Sequence, residues 1–409
     1  MSELSLRHWQ SRLAGSGISR RDRRSCDYEA YLPDPLAGRR FLFEGEVAAD
    51  IADAEAAIAR LNAQASVLLD TESIARILLR AESVASSRIE GLHLGARRLL
   101  HADAARSLSE ASSDVTASEV LGNIDAMLYA TEQITEGGPI TPELLLEIHR
   151  RLLAGTSLQA HAGRLREVQN WIGGSDHNPC SADYVPPPPE LVGALIEDLC
   201  AFASSNELPA VAQAAIAHAQ FETIHPFIDG NGRTGRAIIH LVLRRRGLAP
   251  RVLPPVSLVL ATLARDYVRG LTASRYVGDP ASAEASAGVN TWVGIFAAAC
   301  IRSVEDARGF EERATALQAQ WRSRLGRVRA NSATDLLLQR LPGSPVLSAE
   351  SAATLLGRTF KPANDAIQRL VEAGILRQIN IGRRNRAYEA PEIIDAFTAL
   401  ERQLANPDG

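Results

Sequence analysis

The chain has 409 residues, a formal net charge of -4, 46% hydrophobic residues and 22% charged residues. This length exceeds one typical domain and the balance is ordinary for a soluble globular protein, so we expect two or three domains. The only lysine, Lys361, stands between Phe360 and Pro362. This placement excludes a G-K-[ST] phosphate loop and a kinase-type lysine network.

Cysteine and apolar patterns bear on the cellular compartment. The four cysteines form no C-x-x-C pair and have no nearby histidine at a spacing suited to zinc; they are Cys26, Cys180, Cys200 and Cys300. We therefore expect them to be reduced and structural, and the protein to be cytoplasmic. No segment offers about 18 uninterrupted apolar residues, so neither secretion nor contact with a membrane is predicted.

Residues 1–115 are predicted to form an N-terminal helical domain. A polar arm and an extended, proline-bearing patch at 31–35 come first, and helical patterns follow at 48–68 and 71–89.

The end of the second of these helices carries a short motif. Ser86 and Glu90 are four residues apart and therefore share one helix face. Gly91 fits the position just after the helix end. Taken alone, this pattern also suits an ordinary helix that ends in Glu-Gly.

Residues 116–304 are predicted to be a helical bundle. The helical patterns lie at 144–153, 189–203, 210–223, 256–271 and 290–304, with one more after residue 233. An Ala- and Ser-rich stretch at 278–288 is expected to be a flexible loop.

A different pattern interrupts the bundle. Residues 163–174 and 182–185 carry extended apolar residues around Gly173 and Gly174, and four prolines follow at 186–189. Because proline cannot continue a sheet, this pattern predicts a short β-hairpin flap with a rigid exit. A plain connecting loop is the alternative.

The most informative segment is 225–236, which reads HPFIDGNGRTGR. Gly230 and Gly232 flank Asn231, so the backbone can adopt positive φ and direct N–H groups toward phosphate oxygens. A buried helix is predicted from Arg233 to about residue 246. Its N-terminus would face the phosphates.

Four side chains of this segment suggest specific chemistry. Arg233 and Arg236 are three residues apart, so their planar forks can grip a polyphosphate from one helix face. Asp229 is a hard oxygen ligand of the kind that Mg²⁺ prefers beside phosphates and waters. His225 suits a general base near neutrality. Each alone also fits a structural residue, but the joint spacing favours a phosphate-handling catalytic loop.

Residues 305–409 are predicted to be a long polar linker helix and a winged-helix-like domain. Ser348 can cap a short helix, and Pro362 suits the first turn of a second helix that stops at Gly374. A period-two pattern around Gly382 then predicts a hairpin. The arginines of its tip could contact nucleic-acid phosphates or form a solvated turn; they are Arg383, Arg384 and Arg386.

The segment 225–236 resembles the signature of the Fic family, H-P-F-x-D-G-N-G-R-x-x-R, at every specified position. The resemblance implies a mostly α, Fic-type helical bundle with a β-hairpin flap. It also implies transfer of AMP from ATP to a Ser, Thr or Tyr hydroxyl of a target protein. The target stays open, with the chain itself among the candidates, and so does a homodimer.

The resemblance assigns a role to each residue of the loop. His225 would take the proton from the target hydroxyl as its oxygen attacks the α-phosphorus. Asp229 would hold Mg²⁺ on the α- and β-phosphates, Arg233 would stabilise the leaving pyrophosphate, and Arg236 would orient the γ-phosphate. The other phosphate-binding positions are expected at Gly230, Asn231 (backbone and side chain), Gly232, Thr234 and Gly235.

The helix motif that ends at Gly91 is similar to the inhibitory pattern of the same family, [ST]-x-x-x-E-[GN]. By this resemblance, Glu90 would pair with Arg236, and Ser86 would share its helix face. A carboxylate there would occupy the fork that the γ-phosphate needs and would repel the phosphate charge.

Two further roles are implied by the family. Its flap docks the target, so the backbone of Ile172, Gly173 and Gly174 could align a target loop as an added strand. Tyr267 lies roughly where the family places adenine-contacting tyrosines.

Three functions are consistent with these patterns. The first is a self-inhibited adenylyltransferase, and the second is an enzyme that removes AMP with Glu90 activating water. The third is a DNA-binding regulator with a nucleotide-sensing core, against which the intact His225 argues.

Overall fold

The computed structural model describes residues 1–11, 19–64, 71–108, 114–381 and 385–403. The chain begins with an antiparallel hairpin, β1 (Glu3–Trp9) and β2 (Cys26–Leu32), in which Glu3 pairs with Leu32. The sequence prediction of a polar arm missed this hairpin. The reason is that the apolar residues of β1 alternate on the solvent side: Leu4 is 47% and Leu6 is 70% exposed.

Helices make up most of the rest, which confirms the mostly helical fold. The N-terminal helices are α1 (Gly45–Gln64), α2 (Thr71–Ile89), α3 (Ala96–Ser107) and α4 (Val115–Gln133). The central helices are α5 (Pro142–Leu152), α6 (Pro189–Ala203), α7 (Ala210–Ile224), α8 (Asn231–Arg245), α9 (Val256–Thr262), α10 (Ala264–Ala273) and α11 (Ala283–Leu325).

The centre of the core is the pair α7 and α8. Every residue of α7 is buried, and so is nearly every residue of α8. Small side chains let the two helices approach closely, and an added Cβ at Gly235 would collide with Phe221 and Glu222. The loop that joins the two helices, residues 225–230, is therefore held by two fully buried elements.

The long helix α11 differs from the sequence prediction. It runs unbroken through the boundary expected between residues 304 and 305, so the two predicted domains share a helix. The expected loop at 278–288 is helical from Ala283 onward. Ser282 caps the helix by accepting from the Ala285 N–H, and Gly288 packs against the Ala273 carbonyl. The small residues of this stretch thus serve close packing.

By length and composition, α11 is the one described helix that could cross a membrane. However, 61% of its most apolar 18-residue window is buried inside the protein. A core helix meets the same criterion, so this is weak support for a membrane span.

The C-terminal unit comprises α12 (Ala333–Arg340), β3 (Val346–Leu347), α13 (Ala349–Leu356), α14 (Phe360–Glu372), β4 (Arg377–Ile381), β5 (Asn385–Glu389) and α15 (Pro391–Gln403). The strands form one antiparallel sheet in the order β3-β5-β4. Ser348 caps α13 as predicted, in a capping box with Ser351. Gly382, Arg383 and Arg384 of the predicted hairpin tip lie outside the described residues.

Candidate active site

The loop between α7 and α8 has an unusual backbone. His225 ends α7 in the left-handed conformation, with φ 49° and ψ 60°, and Gly230 precedes α8 with φ 79°. A non-glycine residue adopts this conformation only when its surroundings hold it there. Asn231 closes the loop: its Oδ1 accepts from the Phe227 N–H at 2.8 Å, and its Nδ2 donates to the Phe227 carbonyl at 2.8 Å. The Asn231 side chain thus braces the loop from within, and its contact with phosphate stays a prediction.

A second histidine, on α5, packs against the loop. His149 on α5 stacks on Phe227 with ring centroids 3.7 Å apart and an angle of 6° between the planes. Its Nδ1 accepts from the Gly163 N–H at 3.0 Å, so Nε2 carries the proton and donates to the Asp229 carbonyl at 3.0 Å. Burial lowers the pKa of His149 to about 4. The ring is therefore neutral at pH 7, as its acceptor role requires.

The environment of His225 keeps it neutral as well. Burial first, and the positive charge of Arg166 second, lower the pKa of His225 to about 4. A neutral imidazole can accept a proton, which is the state that a general base needs.

The first turn of α8 carries donors that lack acceptors. Arg233 is only 4% exposed, and its Nη2 donates to the Asp229 Oδ2 at 3.1 Å. Its buried Nε and Nη1 have no hydrogen-bond partner among the described residues. Because buried donors are nearly always paired in native proteins, these two mark a place for an anion.

Thr234 and Gly235 lie in the same turn, and the buried Thr234 Oγ1 has no hydrogen-bond partner among the described residues. Thr234 is 1% exposed and lies within α8, and Gly235 faces α7. The groups of this turn that can bind a phosphate are therefore Arg233, the Thr234 hydroxyl and the free N–H groups that begin every helix.

Asp229 is the one carboxylate in the loop, and half of its side chain is exposed. Within the described ranges, no cluster of three His, Cys, Asp or Glu residues could hold a metal ion. This donor set fits Mg²⁺ as proteins often bind it, through one carboxylate with nucleotide phosphates and waters as the other ligands.

The Nε and Nη2 donors of Arg236 are bonded to the end of α2. Its Nε donates to the Ser86 Oγ at 2.8 Å, and its Nη2 donates to the Ser86 carbonyl and to the Glu90 Oε1, each at 2.7 Å. Burial acts to raise the pKa of Glu90, but the Arg236 guanidinium outweighs it and holds that pKa below the ordinary value. The predicted Glu90–Arg236 pair is thus present in the structure, and Ser86 on the same helix face also contacts Arg236.

Two glycines make this approach possible. An added Cβ at Gly232 would collide with the Glu90 carboxylate. Gly91 follows α2 with φ 80°, a conformation that favours glycine. Position 232 therefore has no room for a side chain, and glycine at position 91 adopts the left-handed turn after the helix without strain.

Tyr267 lies behind Arg236 in the core. It is 4% exposed, its hydroxyl is 2.8 Å from the His218 Nε2, and its ring packs on Trp292. Glu222 is buried nearby, and this burial raises its pKa to about 7. The adenine contact predicted for Tyr267 gains no support from this position.

In place of the predicted β-hairpin flap, the structure has two isolated bridges, Ile172–Tyr184 and Ser175–Asn178. The Ile172 N–H donates to the Tyr184 carbonyl, and the Ile172 carbonyl accepts from the Asp183 N–H, each at 2.8 Å. Gly173 and Gly174 follow with φ 78° and 77°, which bends the chain away from a regular hairpin. Ile172 uses its N–H and its carbonyl internally, so strand addition there would have to use the two glycines.

A disulfide joins this flap to the N-terminal hairpin. Cys26 of β2 is bonded to Cys180, with the Cα atoms 5.8 Å apart. This corrects the prediction that all four cysteines are reduced, which held only for the buried Cys200 and Cys300. The two partners are 154 residues apart in the sequence, so no short motif announced them. The predicted cytoplasmic location loses the support of this pair.

Sequence reasoning missed two supporting residues, His149 and Arg166. His149 lies on the apolar face of α5 with Leu145, Ile148 and Leu152, where a core histidine is the usual interpretation. Arg166 lies in the segment that was predicted only as part of the flap. No local pattern connects either residue with a loop about 60 to 80 positions later.

A histidine before a glycine-rich turn, an arginine pair at a helix N-terminus and a carboxylate paired with one of the arginines define a helical domain with a preformed anion site. Residues 139–243 match the Fic/DOC family, and residues 48–132 match the Fic/DOC family N-terminal domain. The chain therefore contains a Fic/DOC domain, preceded by a Fic/DOC family N-terminal domain.

Two curated relatives and one solved structure are also Fic proteins. The chain is 36% identical over 139 residues to the protein adenylyltransferase Fic of Drosophila grimshawi. This match covers 33% of this chain and 27% of that protein. It is 32% identical over 141 residues to protein adenylyltransferase fic-1 of Caenorhabditis elegans, covering 33% of this chain and 26% of the relative. The matched part is thus about a quarter of these relatives. A Fic family protein from Desulfovibrio desulfuricans shares the fold, with a TM-score of 0.54, 22% identity and coverage of 86% of this chain and 97% of that one.

Proposed function

We propose that the chain is a protein adenylyltransferase that uses ATP and is restrained by Glu90. The observation that carries the proposal is the Glu90–Arg236 pair, at 2.7 Å, beside a complete motif whose Arg233 has two unpaired buried donors. The relatives named above support the AMP-transferring activity.

The reaction would be an in-line displacement at the α-phosphorus. The neutral His225 accepts the proton as the target oxygen bonds to the α-phosphorus, and the bond to pyrophosphate breaks. The two unpaired donors of Arg233 would bind the leaving pyrophosphate and stabilise its charge. Asp229 would hold Mg²⁺, which neutralises phosphate charge when bound. Catalysis would rest on positioning and charge stabilisation.

Restraint would follow from competition for one guanidinium. Ser86 and Glu90 occupy the Nε and Nη2 donors of Arg236, so a γ-phosphate would bind productively at this guanidinium only after Glu90 leaves. The Glu90 carboxylate would also repel phosphate charge at this range.

Labelling tests the proposal. Wild type, Glu90→Gly and His225→Ala are incubated with Mg²⁺ and ATP labelled at the α- or the γ-phosphate, with and without cell lysate. We expect α-label on protein, strongest with Glu90→Gly and absent with His225→Ala, and no γ-label. Absence of α-label with Glu90→Gly would contradict the proposal, and γ-label would indicate a kinase.

AMP removal is a second candidate, because one specific observation favours it. Glu90 is held ionised, and 35% of its side chain is exposed, so it could activate a water molecule. Release of AMP from a modified protein that is lost in Glu90→Gln would support this reading.

We also propose that the C-terminal unit is a winged-helix-like domain, as the sequence predicts. A cap, two helices and a hairpin follow in the expected order. DNA contact through this unit remains a prediction, as Arg386 alone of the three tip arginines lies within the described residues. Binding to duplex DNA with a steep salt dependence would support it.

A further inference from the structure

Arg166 occupies a position that none of the roles above explains. It is 3% exposed, and its guanidinium faces only main-chain carbonyls. Its Nε donates to the His225 carbonyl at 2.9 Å, its Nη2 donates to the carbonyls of Ile224 and Pro187, and its Nη1 donates to the Val168 carbonyl at 3.2 Å. Among the described residues, no carboxylate pairs with it.

These acceptors belong to two separate parts of the site. Ile224 and His225 are the last turn of α7 and the start of the motif, whereas Val168 and Pro187 lie on either side of the Ile172–Tyr184 bridge of the flap. The Arg166 N–H also donates to the Pro226 carbonyl at 2.9 Å. One side chain therefore joins the catalytic loop to both ends of the flap.

The bond to the His225 carbonyl has a particular consequence. His225 is one of two non-glycine residues with positive φ among those that the structure describes. Such a conformation persists only where the surroundings over-determine it. Arg166 and the Asn170 Nδ2, at 3.2 Å, both donate to this carbonyl, and they are the contacts that fix the peptide after the histidine.

We propose that Arg166 is a positioning residue that holds His225 in its left-handed conformation and couples the flap to the catalytic loop. The inference rests on the proposed AMP transfer. It assigns Arg166 an effect through His225, without contact with the nucleotide or the target.

A charge effect accompanies the geometric one. Burial and then the Arg166 charge lower the pKa of His225. The other charged side chains that act on His225 are Glu90 and Arg275, and Glu222 lies three residues before it on α7. Removal of the Arg166 charge therefore raises the pKa of His225.

Arg245 provides a matched control. It is a 5% exposed arginine that donates to the carbonyls of Gly138, Ser204 and Ser205 and to the Asn206 side chain. It lies at the opposite end of α8, about 20 Å from the helix start at Asn231 by the rise of the helix.

The experiment compares Arg166→Met, Arg166→Lys and Arg245→Met, each in the Glu90→Gly background. AMP labelling is followed against pH and ATP concentration, and the unfolding temperature is measured. We expect both Met variants to lose similar stability. Only Arg166→Met should lose turnover, by roughly 10²-fold, with the KM for ATP nearly unchanged. The acid limb of its pH–rate profile should move to higher pH. Arg166→Lys should keep this limb in place and recover part of the rate.

The outcomes separate the two proposals. Equal turnover of folded Arg166→Met and Arg245→Met, or an acid limb that does not move, overturns the role of Arg166 and leaves AMP transfer standing. No labelling by Glu90→Gly itself overturns AMP transfer, and the role of Arg166 with it.

Discussion

The Glu90 Oε1 lies 2.7 Å from the Arg236 Nη2, and the same guanidinium also donates to both the hydroxyl and the carbonyl of Ser86. Residues 146 positions apart thus form one contact. The helix end that carries Glu90 is fixed on the catalytic loop by its backbone as well as by its charge. Restraint in this protein would therefore depend on where α2 sits.

Charge and bulk of Glu90 can be separated. We expect Glu90→Gln to raise AMP labelling above wild type but less than Glu90→Gly. The reason is that the amide removes the repulsion of phosphate yet still fills the space beside Gly232 and can accept a hydrogen bond from Arg236. Initial labelling rates of the three forms at neutral pH give the order. Equal rates for Glu90→Gln and wild type would show that bulk alone restrains the enzyme.

The Glu90–Arg236 pair also predicts how inhibition depends on pH. The folded-state pKa of Glu90 lies below the ordinary value of 4.5. The pair is therefore intact above that value and is lost as the pH falls through the lowered pKa. We expect the ratio of the Glu90→Gly rate to the wild-type rate to stay constant from neutral pH down to the ordinary carboxyl range. A ratio that already falls near pH 6 would contradict an ionised, paired Glu90.

Buried histidines should make the protein sensitive to mild acid. The pKa of His149 falls from 6.5 to about 4 on folding, so below pH 6.5 the unfolded chain binds more protons and stability declines until about pH 4. This one site accounts for a loss of roughly 3 kcal/mol across that window. His149→Gln should be less stable at pH 7 but lose less between pH 7 and pH 5, as measured by denaturant unfolding. Parallel pH curves for the two proteins would refute this assignment.

Glu389 joins the C-terminal unit to the helix after α2. It is fully buried and contacts Arg97 at 3.0 Å, His101 at 2.7 Å and Arg377 of the neighbouring strand. We expect Glu389→Gln to lower the free energy of unfolding by about 1–3 kcal/mol.

Because Glu389 holds α3, which follows α2 in the chain, the same substitution should also make α2 more mobile. AMP labelling should then rise in the otherwise wild-type chain and stay unchanged in the Glu90→Gly background. Asp266→Asn, which removes an exposed pair with Arg269, serves as the control and should change neither quantity. An equal rise in both backgrounds would mean that Glu389 acts elsewhere.

Alkylation can test the cysteine pairing. Burial raises the pKa of the Cys200 thiol to about 12 and raises that of Cys300 as well. Neither should react in the folded protein. The native chain should therefore take up no iodoacetamide, and two equivalents after mild reduction, at Cys26 and Cys180. Loss of the bond should lower stability by about 2–4 kcal/mol. Two reactive thiols without reductant would show that the pair is not bonded.

The sequence by itself determined which chemical groups the loop carries and where most helices of the protein lie. The segment 225–236 specifies a turn, a helix start and two arginines on one face within twelve residues, so local geometry suffices to place them together. The Ser86–Glu90 spacing is likewise a property of one helix. Ser348 and Pro362 marked their helices for the same reason, since capping depends on neighbours in the chain.

Only the tertiary structure decided what surrounds that loop. His149, Arg166 and the Cys26–Cys180 bond act across about 60 to 154 residues, and no periodicity or spacing records a contact of that range. The left-handed His225 and the diversion of the Asn231 side chain to Phe227 follow from the same fact: a short buried loop must satisfy its own polar groups before it can offer any to a ligand.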